Sequence, residues 1–508
     1  MKEFLRKHKD EFYLGAAIVG AILFYYAPIS DSLIVGENVI PFTHEARITM
    51  SLLIFAIVLW VTEAIPFVVT SLIVMILIPL LGATEGLEVI RNGEPFVIHG
   101  AADGLKEMIL MGFGNRLIFF FMGVFLLSAA FIQSGLGDRL TLYLLLLVGT
   151  GTKLVILGFL VMGSLLSMWI TDMAVAALLT PLAVSILRSA NIKPLESRFG
   201  TALMIACCWG AVFGGIATPA GCGPNPIAIE YLKNLTGIHI SFLDWMKIGV
   251  PLTACLIPFG WAVLLLLFPP EMKRLPLERK RLKERLNEKG GFQKAEIVTL
   301  VVFLTVITLW VGSDLIGTLT DGGLILSMEM VALAGGLVFF LPGVRVMTWK
   351  EAEPLMNWGA IVLVMASLSL GLMMYETGAA RWLSWVLLGR IQGIDPIIQI
   401  GLVVAAVIVM KLFLASNTVT GIIVIPLLIT LAQDLGLDAW FLVAPAAFTA
   451  SLGIILLTQS PTNIIPHTSG YFTARDFALS GVIMSVIMVL VLTIMIPIGG
   501  RLTGIYTF

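Results

Sequence analysis

The sequence predicts an all-α polytopic membrane protein of about 11 transmembrane helices plus two re-entrant hairpins, built as inverted internal repeats with helices broken at the midplane. The first observation is compositional: 58% of the 508 residues are hydrophobic and 12% charged, with a mean hydropathy of +1.01, where a soluble chain carries ~25% charged residues. The second is that four apolar stretches are the wrong length or composition for one straight crossing. The third is that these stretches recur in the same order in both halves. Composition alone excludes a soluble enzyme, a nucleic-acid binder and a disordered tail. With 31 Lys and Arg against 32 Asp and Glu, only the distribution of charge is informative.

Apolar runs bounded by charges or by Gly and Pro place ordinary spans near 12–30, 47–64, 66–83, 116–134, 246–268, 296–315, 328–343, 357–376 and 478–498. The charged start leads directly into the first of these, so that segment reads as a span and not as a cleavable signal. Residues 151–188 and 396–433 are too long for one crossing: a straight helix of that length would run ~57 Å, nearly twice the ~30 Å hydrocarbon core. Each is expected to fold back as a re-entrant hairpin. Residues 201–232 and 440–472 carry Gly and Pro clusters at mid-length, Ala217 to Pro226 and Gln459 to Pro466, the signature of helices broken inside the membrane.

The order span, hairpin, broken helix, span therefore occurs twice. From Gly135 to Thr171 is 36 residues and from Gly378 to Ser416 is 38; from Asp172 to Asn225 is 53 and from Asn417 to Asn463 is 46. Paired interrupted helices in an internal repeat point to a secondary transporter whose site lies between the repeats. The linker from Glu271 to Lys294 holds nine basic and four acidic residues, 9 − 4 = +5, and is expected in the cytoplasm. Segment 85–112 carries five acids against Arg91 and Lys106, a net of −3, which suits the outside. The N-terminus is then inside and the tail from Arg501 outside, in a bacterial or archaeal inner membrane. The expected division is scaffold 1–134, transport part 135–268, linker 269–295, scaffold 296–376 and transport part 377–508.

Hairpin tips and breaks free backbone groups where no water can satisfy them: N–H groups at half-helix N-termini attract anions and freed carbonyls bind cations. The second tip supplies Ser416, Asn417 and Thr418, two hydroxyls and an amide able to hold a carboxylate or sodium. The breaks supply Thr218, Gly221, Gly223, Pro224 and Asn225 in the first and Thr458, Gln459, Ser460, Pro461, Thr462 and Asn463 in the second. The cysteines Cys207, Cys208, Cys222 and Cys255 have no metal-ligand spacing and read as small core residues. Glu63 and Glu376 read as helix-end residues, and His467 has no partner at ligand spacing. No Walker-type loop, metalloprotease motif or converging nucleophile and base is present, so neither a cofactor nor catalysis is expected.

These segments resemble the divalent anion/sodium symporter (DASS) family of di- and tricarboxylate transporters, in the ion transporter superfamily. The likeness rests on "WVTEAIPFVVTSLI" from Trp60, "QSGLGDRL" before the first hairpin, "SMWITD" at its tip, "GGIATPAGCGPN" in the first break, "ASNTVTGIIVIP" in the second hairpin and "SPTNIIPHTSGY" in the second break. The resemblance implies a homodimer in membrane lipid, each protomer a scaffold with a mobile transport domain that moves like an elevator. It implies a small carboxylate anion as substrate, with Na+ or H+ as the coupling ion. Substrate would be held by Asp172, Asn225, Ser416, Asn417, Thr418, Pro461, Thr462 and Asn463, and the ion or its surrogate by Ser167, Thr171, Asp172, Gly221, Lys411 and Gln459.

The sequence departs from that family where charge matters most. The first tip reads Thr171-Asp172-Met173 where the family has Ser-Asn-Thr, while Lys411 stands in an apolar run five residues before Ser416, a costly place for an unpaired ammonium. Leu412 replaces a hydroxyl that sodium-coupled relatives use, whereas Ser167 keeps its counterpart. Three readings stand at this point. Asp172 and Lys411 form an ion pair in which the tethered cation replaces sodium and favours obligatory exchange; Asp172 strengthens a sodium site or takes up a proton; or Lys411 snorkels to an aqueous edge. The function expected is a secondary carrier of dicarboxylates, as symporter or exchanger. The alternatives are a cation/proton antiporter of the superfamily or a carrier of an inorganic divalent anion such as sulfate.

Overall fold

The computed structural model describes residues 9–35, 38–91, 94–275, 284, 286–321, 326–414 and 416–503. Most of the basic linker (276–283 and 285), the first eight residues and Gly504 to Phe508 lie outside the described residues, and with them much of the charge on which the sidedness rests. The described chain is helical apart from two antiparallel strand pairs, Ser32–Val35 with Asn38–Pro41 and Glu88–Arg91 with Glu94–Val97. Eight of its helices are long and apolar enough to cross a membrane alone.

The two long stretches divide as their length requires. The first is a pair of arms, Thr152–Ser167 and Asp172–Ser189, and the second is Pro396–Met410 with Asn417–Asp434. The two Gly/Pro-rich stretches are broken helices, Arg198–Gly215 followed by Pro224–Thr236 and Ala439–Ser451 followed by Pro461–His467. In each repeat both arms pack on the first half of that repeat's broken helix, and the second half crosses to the other repeat's hairpin. The first halves are buried throughout, from Phe199 to Gly215 and from Ala439 to Ser451. Small residues permit this: a methyl group added at Gly214 would sit 2.2 Å from the Ser164 carbonyl oxygen, and one at Gly163 2.9 Å from the Gly210 backbone, the close approach of small-residue seams in membranes.

Three helices of ten residues or more were not expected from the sequence. Leu136–Val148 and Ala379–Leu388 each lead from a span into a hairpin, and each starts just after a glycine at φ +76, Gly135 and Gly378, a left-handed turn that glycine makes without strain. Both are too short for a crossing, which hid them from a search for spans. Gly100–Gly112, inside the acidic segment 85–112, bends by 43° into Leu117–Gln133 and packs on Trp358–Glu376.

Arg139, in the short helix after Gly135, is buried together with Glu296 at the start of the span Lys294–Leu319. Its Nε donates to both carboxylate oxygens at 2.8 and 2.9 Å, and its terminal nitrogens donate to the Gly290 and Gly291 carbonyls at 2.9 and 3.1 Å. This fixes the end of the linker against the helix that feeds the first hairpin. Breaking such a pair leaves an uncompensated buried charge at a cost of about 3–5 kcal/mol, whereas an apolar replacement of both partners costs far less. Arg139→Ala and Glu296→Ala should each lower the melting temperature in detergent strongly, and Arg139→Met with Glu296→Leu should recover most of the loss.

Candidate functional site

Both hairpin tips and both breaks line one cavity of about 420 Å3, within the size range of small-molecule sites. Its walls include Phe120, Phe121, Val124 and Phe125 on one span, Leu363 and Val364 on another, and Pro66 and Phe67 at the start of Phe67–Leu80. Of the residues predicted from sequence, Thr171, Asp172, Gly221, Ser416, Asn417, Thr418, Pro461 and Thr462 line this cavity. Ser167, Asn225, Lys411, Gln459 and Asn463 do not; they lie behind it. Among the described residues that line the cavity, two are acidic, Glu63 and Asp172, and none is basic.

The residues behind the lining serve the breaks themselves. Asn225 donates to the carbonyls of Gly215 at 2.7 Å and Thr218 at 2.8 Å, ten and seven residues back. Asn463 donates to those of Gly453 at 2.8 Å and Leu456 at 3.3 Å, again ten and seven back. The two amides thus perform one task in two copies, holding carbonyls that a broken helix leaves without a partner. In the first break Trp245 Nε1 takes the Ile216 carbonyl at 2.9 Å and Thr253 takes that of Phe213 at 2.7 Å. In the second the corresponding duty falls to an ammonium: Lys411 Nζ donates to the Ala450 carbonyl at 2.6 Å, and Asn417 Nδ2 to that of Ser451 at 3.3 Å. Gln459 supports this end, donating to the Lys411 carbonyl at 3.1 Å while its side-chain oxygen accepts from the Ile455 and Leu456 amides.

Two of the three readings of Lys411 need correction. It does not snorkel, being 1% exposed and bonded inward. Nor does it pair directly with Asp172: among the described residues no ion pair joins them. The contact is a relay, in which Lys411 Nζ donates to Asn417 Oδ1 at 2.8 Å, Asn417 Nδ2 lies 3.6 Å from Cys222 Sγ, and that thiol points at Asp172 Oδ2 at 3.8 Å. The ammonium is drawn away because the C-terminal carbonyls of Ala439–Ser451 attract a cation. Asp172 lines the cavity, and its carboxylate accepts from the neighbouring Met173 amide at 2.8 Å and from the Thr462 hydroxyl.

Sequence reasoning missed Cys222, reading it as filler. It stands three residues before Asn225, as Ser460 stands before Asn463, and that register was the available signal. The Ala450 and Ser451 carbonyls were also missed, since a backbone group has no sequence signature. Ser167 is fully buried and its hydroxyl has no hydrogen-bond partner among the described residues. Glu63 ends the helix His44–Thr62 in a left-handed conformation and also borders the cavity. His467 ends Pro461–His467 with its ring against Phe472, and no cluster of three or more His, Cys, Asp and Glu side chains placed to hold a metal ion occurs among the described residues.

Paired hairpins, paired broken helices and a shared cavity define the class of membrane transporters with internal structural repeats. The profile of the sodium:sulfate symporter transmembrane region matches residues 38–504, and the chain belongs to that transporter family. It is 28% identical over 463 residues to a sodium-dependent dicarboxylate transporter of Staphylococcus saprophyticus, covering 86% of this chain and 84% of that one. A Staphylococcus aureus protein of the same description matches at 28% over 464 residues with the same coverage. Among solved structures the chain resembles the Alcanivorax borkumensis YdaH transporter, with a TM-score of 0.54 at 14% identity over 85% of this chain and 98% of that one. It also resembles Neisseria gonorrhoeae MtrF, with a TM-score of 0.50 at 12% identity over 84% and 93%; both are likenesses of fold. The protein is thus an integral membrane protein of a transporter family.

Because the Asn225 amide holds two carbonyls, Asn225→Ala should lower the melting temperature of the ligand-free protein, at about 1–3 kcal/mol for each buried acceptor left bare. Thr418→Ala, at a residue that lines the cavity and holds no break carbonyl, should leave that temperature unchanged. Equal melting of both variants would contradict the division of labour described above.

Proposed function

We propose that this protein is a secondary carrier of small dicarboxylates that exchanges one anion for another through an elevator-type movement, as a homodimer in a bacterial inner membrane. The single observation that carries the exchange reading is the Lys411 ammonium, bonded to Ala450 and Asn417 at the carbonyl end of the second break, where freed carbonyls would otherwise attract a mobile cation. A tethered cation cannot dissociate. It returns across the membrane with the moving part, and that return is favourable only when an anion travels with it, so net uptake is slow and counterflow is fast.

The carboxylate of the substrate is held by Ser416, Asn417, Thr418 and Thr462, with Lys411 one residue behind. The moving part comprises the hairpins and broken helices, and the remaining spans form the scaffold. Alternating access is supported by a second feature: Arg116 pairs with Glu230 and Glu329, both at 3.2 Å, tying a broken helix to two scaffold spans, while Glu63, Pro66 and Asn357 border the cavity elsewhere. The +5 linker assigns those latter residues to the cytoplasmic side, so the arrangement is one closed outward by ion pairs.

Sodium or proton coupling at Asp172 is a second reading, favoured by the unpartnered hydroxyl of Ser167 and by the Gly221 carbonyl that accepts from the Asp172 amide at 3.3 Å. Proteoliposomes separate the two. Under exchange, labelled dicarboxylate enters vesicles preloaded with unlabelled dicarboxylate with little dependence on sodium, and Asn417→Ala or Thr418→Ala weakens the substrate about ten- to over a hundredfold, the worth of one hydrogen bond to a charged ligand. Strong sodium dependence of the wild type that is lost in Asp172→Asn would establish the second reading instead.

A further inference from the structure

The two tips are built alike but carry opposite chemistry. Where the second offers Asn417 with an ammonium behind it, the first offers the Asp172 carboxylate and the thioether of Met173. A plain dicarboxylate lying between them would bring its distal carboxylate toward Asp172, in a cavity whose lining holds a second acid, Glu63, and, among the described residues, no base. Like charges so placed repel, and no cation stands within ion-pair distance of Asp172 among the described residues. The buried ammonium of Lys411 is committed to Ala450 and Asn417 and is not part of the cavity lining.

What does suit Asp172 is a donor carrying positive charge. Asp172 lines the cavity together with Phe120, Phe121 and Phe125, and aromatic rings attract an ammonium that reaches their faces. We infer that the preferred substrate is an amino dicarboxylate, which places one carboxylate at Ser416, Asn417 and Thr418 and its ammonium at Asp172. This rests on the carrier reading proposed above and narrows its substrate class. The ligand's ammonium offsets at Asp172 the repulsion that the second carboxylate of a plain dicarboxylate would meet there, and its net charge of −1 matches the single ammonium of Lys411 behind the second tip.

The test is competition in counterflow with the full-length protein in proteoliposomes, comparing L-aspartate with succinate against one labelled diacid, for wild type and Asp172→Asn. The expected result is that aspartate competes at least about tenfold better than succinate in the wild type, the worth of one charged hydrogen bond, and that Asp172→Asn reverses the order. A wild type that takes succinate as well as or better than aspartate overturns the inference while leaving the carrier reading intact. If no diacid, amino or plain, exchanges in either protein while both remain folded in detergent, the carrier reading itself falls and this inference falls with it.

Discussion

A backbone carbonyl inside a membrane must find a donor within the protein, because the surrounding hydrocarbon offers none. Each broken helix exposes such carbonyls at the end of its first half, and the packing around both breaks is organised to answer them. Asn225 and Asn463 do so identically, reaching ten and seven residues back. The last carbonyls of the two half-helices are answered differently: by Trp245 and Thr253 from a neighbouring span in one repeat, and by Lys411 and Asn417 from the hairpin in the other.

That difference makes a nearly symmetric scaffold chemically one-sided. Placing a fixed positive charge at the second break commits Asn417 Oδ1 to the ammonium and leaves its amide group to bridge toward Cys222 and Ser451. The first tip carries the compensating acid, yet the two charges are separated by an amide and a thiol. Asp172 lines the cavity and can meet a ligand directly, whereas Lys411 acts on it only through Asn417. The cavity accordingly has a donor-rich end and an acidic end, and the orientation of any ligand follows from that polarity.

Much of this was legible from the residues. Stretches too long for the hydrocarbon core had to turn back, and Gly/Pro clusters at mid-length had to interrupt a helix; both rules hold at residues 151–188, 396–433, 201–232 and 440–472. The tips were recognisable as sites because polar residues at membrane depth need a reason. What was not legible depends on three-dimensional partners. Leu136–Val148 and Ala379–Leu388 are too short to register as spans. Nothing in the letters says that Asn225 and Asn463 lie behind the cavity lining while Asn417 borders the cavity and also answers the Ser451 carbonyl. The partner of Lys411 is a carbonyl, which no side-chain pattern announces, so a direct pair with Asp172 stood as one of three readings where the structure has a relay.

The central claim is that the Lys411 ammonium occupies the place of a mobile cation at the second break, and the most direct measurement is a sodium titration of dicarboxylate counterflow in Lys411→Ala beside the wild type. Removing the ammonium leaves the Ala450 carbonyl and Asn417 oxygen without a donor, at about 1–3 kcal/mol each, and opens room for a cation there. The account predicts a variant that is weak without sodium and is restored as sodium rises, beside a wild type that sodium does not alter. A variant whose activity and sodium response match the wild type would contradict it.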